Sequence, residues 1–184
     1  SSSEQASSAY LKTRLSAFEN VKASSLGEYV PVKLGFEADE KVIFFTAVQD
    51  FDKRFFIAFE NGKCVIIPMA GFATKNNRKK LINAYGGASP LVDVIYIKED
   101  IEVALCSSND RILVIKASRV PLKTTKSSQG VQVLKLKKDY KLKYMKKAED
   151  CGFADYKVYR TKNIPIAGSF IKDADKPGEQ LTLF

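Results

Sequence analysis

Arg54-Phe-Phe-Ile-Ala-Phe-Glu-Asn-Gly-Lys-Cys-Val-Ile-Ile67 places two short runs of aromatic and aliphatic residues on either side of a Glu60-Asn61-Gly62 triplet. Runs of that length bounded by a turn signal read as paired strands. Asn-Gly is the preferred pair for a tight type I′ turn, in which both residues take positive φ, so the stretch predicts a hairpin. The pattern then returns. Glu102–Cys106 and Arg111–Ile115 flank Ser107–Asp110, and Asn109-Asp110-Arg111 stands 48 positions after Asn61-Gly62-Lys63. At the same spacing Phe72 falls on Val120, each ending a strand and opening a polar loop.

Each hairpin is followed by a basic loop and a further strand. Lys75–Lys80 leads to Val92–Ile97, and Lys123–Lys126 leads to Val131–Leu136. A unit of about 40 to 50 residues built from a hairpin plus further strands has the period of a propeller-type blade. Two diverged hairpins fit a β-sandwich equally well, so periodicity alone leaves both architectures open. Upstream, Leu11, Leu15 and Phe18 at i, i+4, i+7 predict a short helix over Tyr10–Glu19. From Tyr29 onward the chain reads as strand after strand.

The net charge of +9 is concentrated in one place. Between Arg119 and Lys147 stand ten basic residues against one acid, Asp139, so this stretch holds the whole excess and the rest is neutral. Such a block is the footprint expected for a polyanion. In Lys141-Leu-Lys-Tyr144 basic and apolar residues alternate, which predicts a strand with Lys141 and Lys143 on one face and Leu142 and Tyr144 on the other. Lysines at alternate strand positions lie roughly 7 Å apart, close to the phosphate spacing of one nucleic-acid strand. An edge strand guarded by Lys gives the same pattern.

Several chemistries are excluded. The chain has no His and three cysteines, Cys64, Cys106 and Cys151, with no C-x-x-C pair, which removes zinc sites and His-dependent nucleophile chemistry. Cys64 and Cys106 sit in apolar runs and read as small buried hydrophobes. Apolar runs such as Val42–Phe45 and Cys64–Ile67 are far short of the roughly 20 residues that span a bilayer, so no membrane partner is expected. No acidic magnesium cluster is expected, and there is no Gly-x-x-x-x-Gly-Lys loop.

Four phrases carry a resemblance: Asn77-Arg-Lys-Lys-Leu-Ile-Asn-Ala-Tyr85, Ser89-Pro-Leu-Val-Asp93, Val120-Pro-Leu-Lys-Thr-Thr-Lys-Ser-Ser-Gln-Gly-Val-Gln132 and Tyr159-Arg-Thr-Lys-Asn-Ile-Pro165. From Tyr10 to Phe184 the chain resembles the C-terminal domain of the A subunit of bacterial type IIA topoisomerases, the gyrase and topoisomerase IV subunits of Firmicutes. The resemblance implies an all-β fold, a β-pinwheel of roughly three blades preceded by a short N-terminal helix. On that reading 1–28 are linker and helix, 29–172 the DNA-binding pinwheel and 173–184 a C-terminal tail. The implied role is binding and bending duplex DNA without sequence preference, presenting it for strand passage in a cytoplasmic, nucleoid-associated enzyme.

The gyrase form carries a Gln-Arg-Arg-Gly-Gly-x-Gly box needed for wrapping. Here only fragments stand near it, Arg78-Lys79-Lys80 with Gly86-Gly87 and Lys123 to Gly130. Bending of the weaker topoisomerase IV kind is therefore expected. The family's cleaving tyrosine follows an arginine, and none of the eight tyrosines here does. This piece is expected to be catalytically silent and to need no cofactor, with Mg and ATP used by the parent enzyme and a topoisomerase B subunit bound through the part N-terminal to it.

Lysine is a hydrated point charge suited to phosphates, whereas arginine more often reads guanine edges. The expected DNA contacts are Lys75, Arg78, Lys79, Lys80, Arg119, Lys123 and Lys126 in the loops, with Lys135, Lys137, Lys141 and Lys143 beyond them. Gln129 and Gly130 are expected to shape a turn. The last five residues, Gln180-Leu-Thr-Leu-Phe184, resemble the bacterial sliding-clamp-binding pentapeptide. In that reading Leu181, Leu183 and Phe184 fill an apolar pocket while Gln180 supplies hydrogen bonds. A protein-binding β-domain is the alternative function.

Overall fold

A computed structural model of the chain describes residues 9–11, 27, 29–38, 40–48, 51–73 and 80–176. In chain order its elements are β1 (Ala9–Leu11), α1 (Val30–Leu34), β2 (Arg54–Phe59), β3 (Lys63–Pro68), β4 (Lys80–Ile82), β5 (Leu91–Ile97), β6 (Glu102–Ser107), β7 (Arg111–Lys116), β8 (Val131–Gln132), β9 (Leu142–Lys147) and β10 (Ser169–Phe170). Both predicted hairpins form, β2–β3 and β6–β7. Each is the centre of a four-stranded antiparallel sheet, in the order β5-β2-β3-β8 for the first blade and β10-β7-β6-β9 for the second.

The order of the strands interlocks the blades. β8 follows the second hairpin along the chain but pairs with β3 of the first blade, so blade 1 is closed only by chain that has already passed through blade 2. β10 closes blade 2 by pairing with β7 in the same way. The third, two-stranded sheet follows the same logic: β4 comes after hairpin β2–β3 and pairs backward with β1. The expected count of roughly three blades thus corresponds, among the described residues, to two complete blades and this two-stranded sheet.

Alternation along the hairpins sorts side chains into layers. Phe56, Ala58, Cys64 and Ile66 of blade 1 pack against Val103, Leu105, Leu113 and Ile115 of blade 2, forming the shared core. The other face of blade 1 carries Phe55, Ile57, Phe59, Val65 and Ile67, covered by Met69 and Phe72. The other face of blade 2 carries Ala104, Cys106, Ile112 and Val114, covered by Ala148, Tyr159 and Ile171. Because both faces are buried, the hairpin strands are continuously apolar rather than alternating. Full burial of a side chain such as Phe56 stabilises the fold by about 2 to 3 kcal/mol.

The hairpin turns differ from the expected type I′ geometry. Gly62 is left-handed at φ 80°, but Asn61 is not among the positive-φ residues, and the Gly62 N–H donates to the Phe59 carbonyl at 2.9 Å. This is a three-residue loop closed by one left-handed residue. The second hairpin repeats it, with Asp110 at φ 57° and its N–H on the Ser107 carbonyl at 3.1 Å. The Asn61 carboxamide oxygen accepts from the Lys63 N–H at 3.1 Å, which supplies the reason for asparagine.

A second repeated device closes each blade. Gly130 (φ 71°) and Gly168 (φ 76°) immediately precede β8 and β10, and a Cβ there would stand 1.9 Å from the Cys64 carbonyl oxygen and 2.4 Å from that of Ile112. Cys64 and Ile112 are again 48 apart. Only glycine permits both the left-handed φ and the close approach.

Other expectations are corrected. Tyr10 and Leu11 lie in a strand rather than a helix, and the remainder of the expected Tyr10–Glu19 helix lies outside the described residues. The one α-helix among the described residues is α1, where Pro31 pre-sets φ at the first turn and left-handed Gly35 caps the end. It interrupts the strands expected from Tyr29, and residues 40–48 form no strand. The strand expected over Val131–Leu136 stops at Gln132 because Leu134 turns away to bridge Ile166.

Candidate nucleic-acid interface

The connection after β7 runs back along blade 1: Leu122 bridges Ile66 in parallel, and the Lys123 N–H donates to the Ile66 carbonyl at 2.8 Å. Thr124 and Lys126 then lie against Gly71, with the Lys126 ammonium 5.8 Å from the Phe72 ring centre. Phe72 ends the short helical turn that leads toward Lys75. Lys123 and Lys126 therefore lie on blade 1 beside the Met69–Phe72 turn, whereas Arg119 ends the short helical turn that follows β7 of blade 2. Lys75, Arg78 and Lys79 lie outside the described residues, and Lys80 is placed only by its backbone in β4.

Arg119, Lys123, Lys135 and Lys137 are exposed, and among the described residues no carboxylate pairs with any of them. Lys135 is held by its backbone, whose N–H donates to the Ile166 carbonyl at 2.8 Å, so it stands on the crossing from blade 1 to blade 2. Lys126 is half-buried. Exposed cations without a carboxylate partner among the described residues are suited to phosphate oxygens.

The other two expected contacts are engaged within the protein. Lys141 Nζ lies 2.8 Å from Glu60 Oε1 and Lys143 Nζ 4.0 Å from Asp110 Oδ1. Both acids belong to the hairpin turns, outside the basic stretch, which is why a count within the stretch missed them. The expected facing is also corrected. Leu142 packs in the core shared by the blades, while Tyr144 packs on the far side of blade 2. A bulge explains this: Cys106 pairs with Tyr144 but Ser107 with Leu142, leaving Lys143 as the extra residue, so the alternation slips by one.

Gln129 is structural, as expected: its amide donates to the Gly86 carbonyl at 3.0 Å, and its oxygen accepts from Asn61 Nδ2 at 3.4 Å. Cys64 and Cys106 are buried, and burial pushes both thiols up from their ordinary range, so neither is a nucleophile. Sequence reasoning missed Lys157 and Lys162. They are exposed on the segment that runs along β7 as Arg119–Lys123 runs along β3, with Thr161 N–H on the Val114 carbonyl at 2.9 Å. The parallel between Val120–Lys123 and Val158–Thr161 is too diverged in side chains to be read before the pairing is known. Gln180, Leu181, Leu183 and Phe184 lie outside the described residues.

No protein-family model and no curated protein sequence matches the chain. Among solved structures, the C-terminal domain of DNA topoisomerase IV superposes with a TM-score of 0.65 over 76% of this chain, at 19% identity. The fold is that of the C-terminal domain of a type IIA topoisomerase A subunit. The E. coli ParC C-terminal domain superposes with a TM-score of 0.55 over 82% of this chain, at 12% identity. The present chain spans 44% of the first of these structures and 68% of the second. The all-β pinwheel expected from the sequence is thus the observed fold, and the interlocked blades described above are its building units. Among the described residues no helix is long and apolar enough to cross a membrane.

Proposed function

We propose that this chain is the duplex DNA-binding and bending domain of the A subunit of a type IIA topoisomerase, catalytically silent itself and presenting DNA for strand passage elsewhere in the enzyme. The observation that carries the reading is the set of exposed cations, Arg119, Lys123, Lys135 and Lys137, that have no carboxylate partner among the described residues. Lysines outnumber arginines in the set, so binding follows backbone charge and not base sequence. Neutralising six to ten phosphates lowers affinity about 10³- to 10⁵-fold between 50 and 200 mM salt.

The test is a titration of two duplexes of unrelated sequence at both salt concentrations. Equal affinities with a steep salt slope support the proposal, whereas a flat slope or a strong preference for one duplex contradicts it. The absent wrapping box favours a local bend over a full wrap. In the parent enzyme, which would use Mg and ATP, the B subunit would dock on the portion N-terminal to this domain.

A further inference from the structure

β5 carries the same bulge as β9. Phe59 pairs with Leu91 and Ala58 with Asp93, so Val92 is the extra residue. In consequence two successive side chains, Val92 and Asp93, turn toward blade 2: Val92 enters the shared core, and Asp93 Oδ2 accepts from the Met145 N–H of β9 at 2.9 Å. Re-aiming a side chain is what a bulge does in a strand. At the matching place in blade 2, after the extra residue Lys143, stands Tyr144, which packs under the C-terminal segment.

The blades are also tied at the hairpin tip, where the Leu142 N–H donates to the Glu60 carbonyl at 2.9 Å and Lys141 pairs with the Glu60 carboxylate. A contact at the tip alone leaves β9 free to pivot against β5. Asp93 supplies a second fixed point farther along the strand, and two points set an orientation. The carboxylate is half-buried, and burial pushes its pKa up against the opposing pull of the Met145 N–H and Lys146. An aspartate is kept there at some cost in desolvation, which a residue without a partner would not repay.

We infer that Asp93 is a positioning residue: it latches β9 to β5, fixes the rotation between the two blades and so sets the bend imposed on duplex DNA. The last step rests on the DNA-binding reading above. Two readouts test it, exchange of the Met145 amide hydrogen in the free protein and energy transfer across an end-labelled duplex when bound. In Asp93→Ala the Met145 amide is expected to exchange about tenfold faster while amides inside β6–β7 are unchanged, and the bend is expected to relax with affinity within about twofold. Asp93→Asn keeps an oxygen acceptor and should restore both. Unchanged Met145 exchange in Asp93→Ala overturns the latch, and so does loss of the whole fold in that variant, since a latch leaves each blade intact. If the wild-type protein fails to bend DNA, the DNA reading falls, while Met145 exchange still decides the latch.

Discussion

Blade 1 and blade 2 share a hairpin, a left-handed residue at the same turn position, a bulged outer strand and a glycine before the closing strand, yet they end differently. Between β5 and Leu122 the chain lays down a whole hairpin. Between β9 and Arg160, at the matching place, residues 148–159 form only two short helical turns. Blade 2 is thereby capped. Tyr159 hydroxyl donates to Asp175 Oδ2 at 2.5 Å and accepts from the Lys172 N–H at 3.0 Å, and Arg160 forms a bidentate pair with Glu102, both contacts at 2.7 Å. The apolar face of blade 2 is covered by Ala148 and Tyr159 of this segment, with Ile171, in place of a hairpin. The matching bridges also differ in charge: Leu122 stands against blade 1, whereas Arg160, at the equivalent place on blade 2, is locked to the Glu102 carboxylate.

The comparison can be broken at the shared core. Phe56→Ala should destabilise the domain by about 3 to 5 kcal/mol in urea denaturation and keep a single transition, because the core belongs to both blades. Two separated transitions would show the blades to be independent. A smaller effect grades the closures. Gly130→Ala should cost roughly 3 kcal/mol or more and exceed Gly168→Ala, since its Cβ would lie closer to a carbonyl oxygen. The reverse order would contradict the geometry of β8.

The cap is probed more gently. Tyr159→Phe removes both polar contacts of the hydroxyl and should cost about 1 to 2 kcal/mol, while amide exchange in blade 1 remains unchanged. Acid pH sharpens the contrast. Hydrogen bonding to Arg160 holds the Glu102 carboxyl below its ordinary value near 4.5. A depressed folded-state pKa contributes stability above the unfolded value and loses it as pH falls through the folded one. Arg160→Leu should therefore flatten the acid side of the stability profile below about pH 4.5, read by thermal denaturation. An unchanged acid limb would show the pair to be idle.

Much of this fold was legible because a hairpin is local. Arg54–Ile67 and Glu102–Ile115 declare strand, turn and strand within reach of one another, and their spacing gave the repeat. The closures were not legible, since β8 pairs with a strand more than sixty residues earlier and contributes only Val131 and Gln132. The faces of β9 were misread for a physical reason: a bulge leaves no signature in a two-residue alternation. For the basic site, composition located the charge but could not pair it. Glu60 and Asp110 reach Lys141 and Lys143 from turns of two different blades, which only the tertiary fold brings near.

If duplex DNA is bound as proposed, the unpaired cations and not the paired ones hold it. The direct test is the salt dependence of duplex affinity in the wild type, in Arg119→Glu/Lys123→Glu/Lys135→Glu/Lys137→Glu and in Lys141→Glu/Lys143→Glu. Each lost phosphate contact should lower the log–log slope by roughly 0.9, so the fourfold variant should lose about 3.6 units of slope and the twofold variant far less. Equal slopes in wild type and fourfold variant, or a larger loss in the twofold one, would contradict the account.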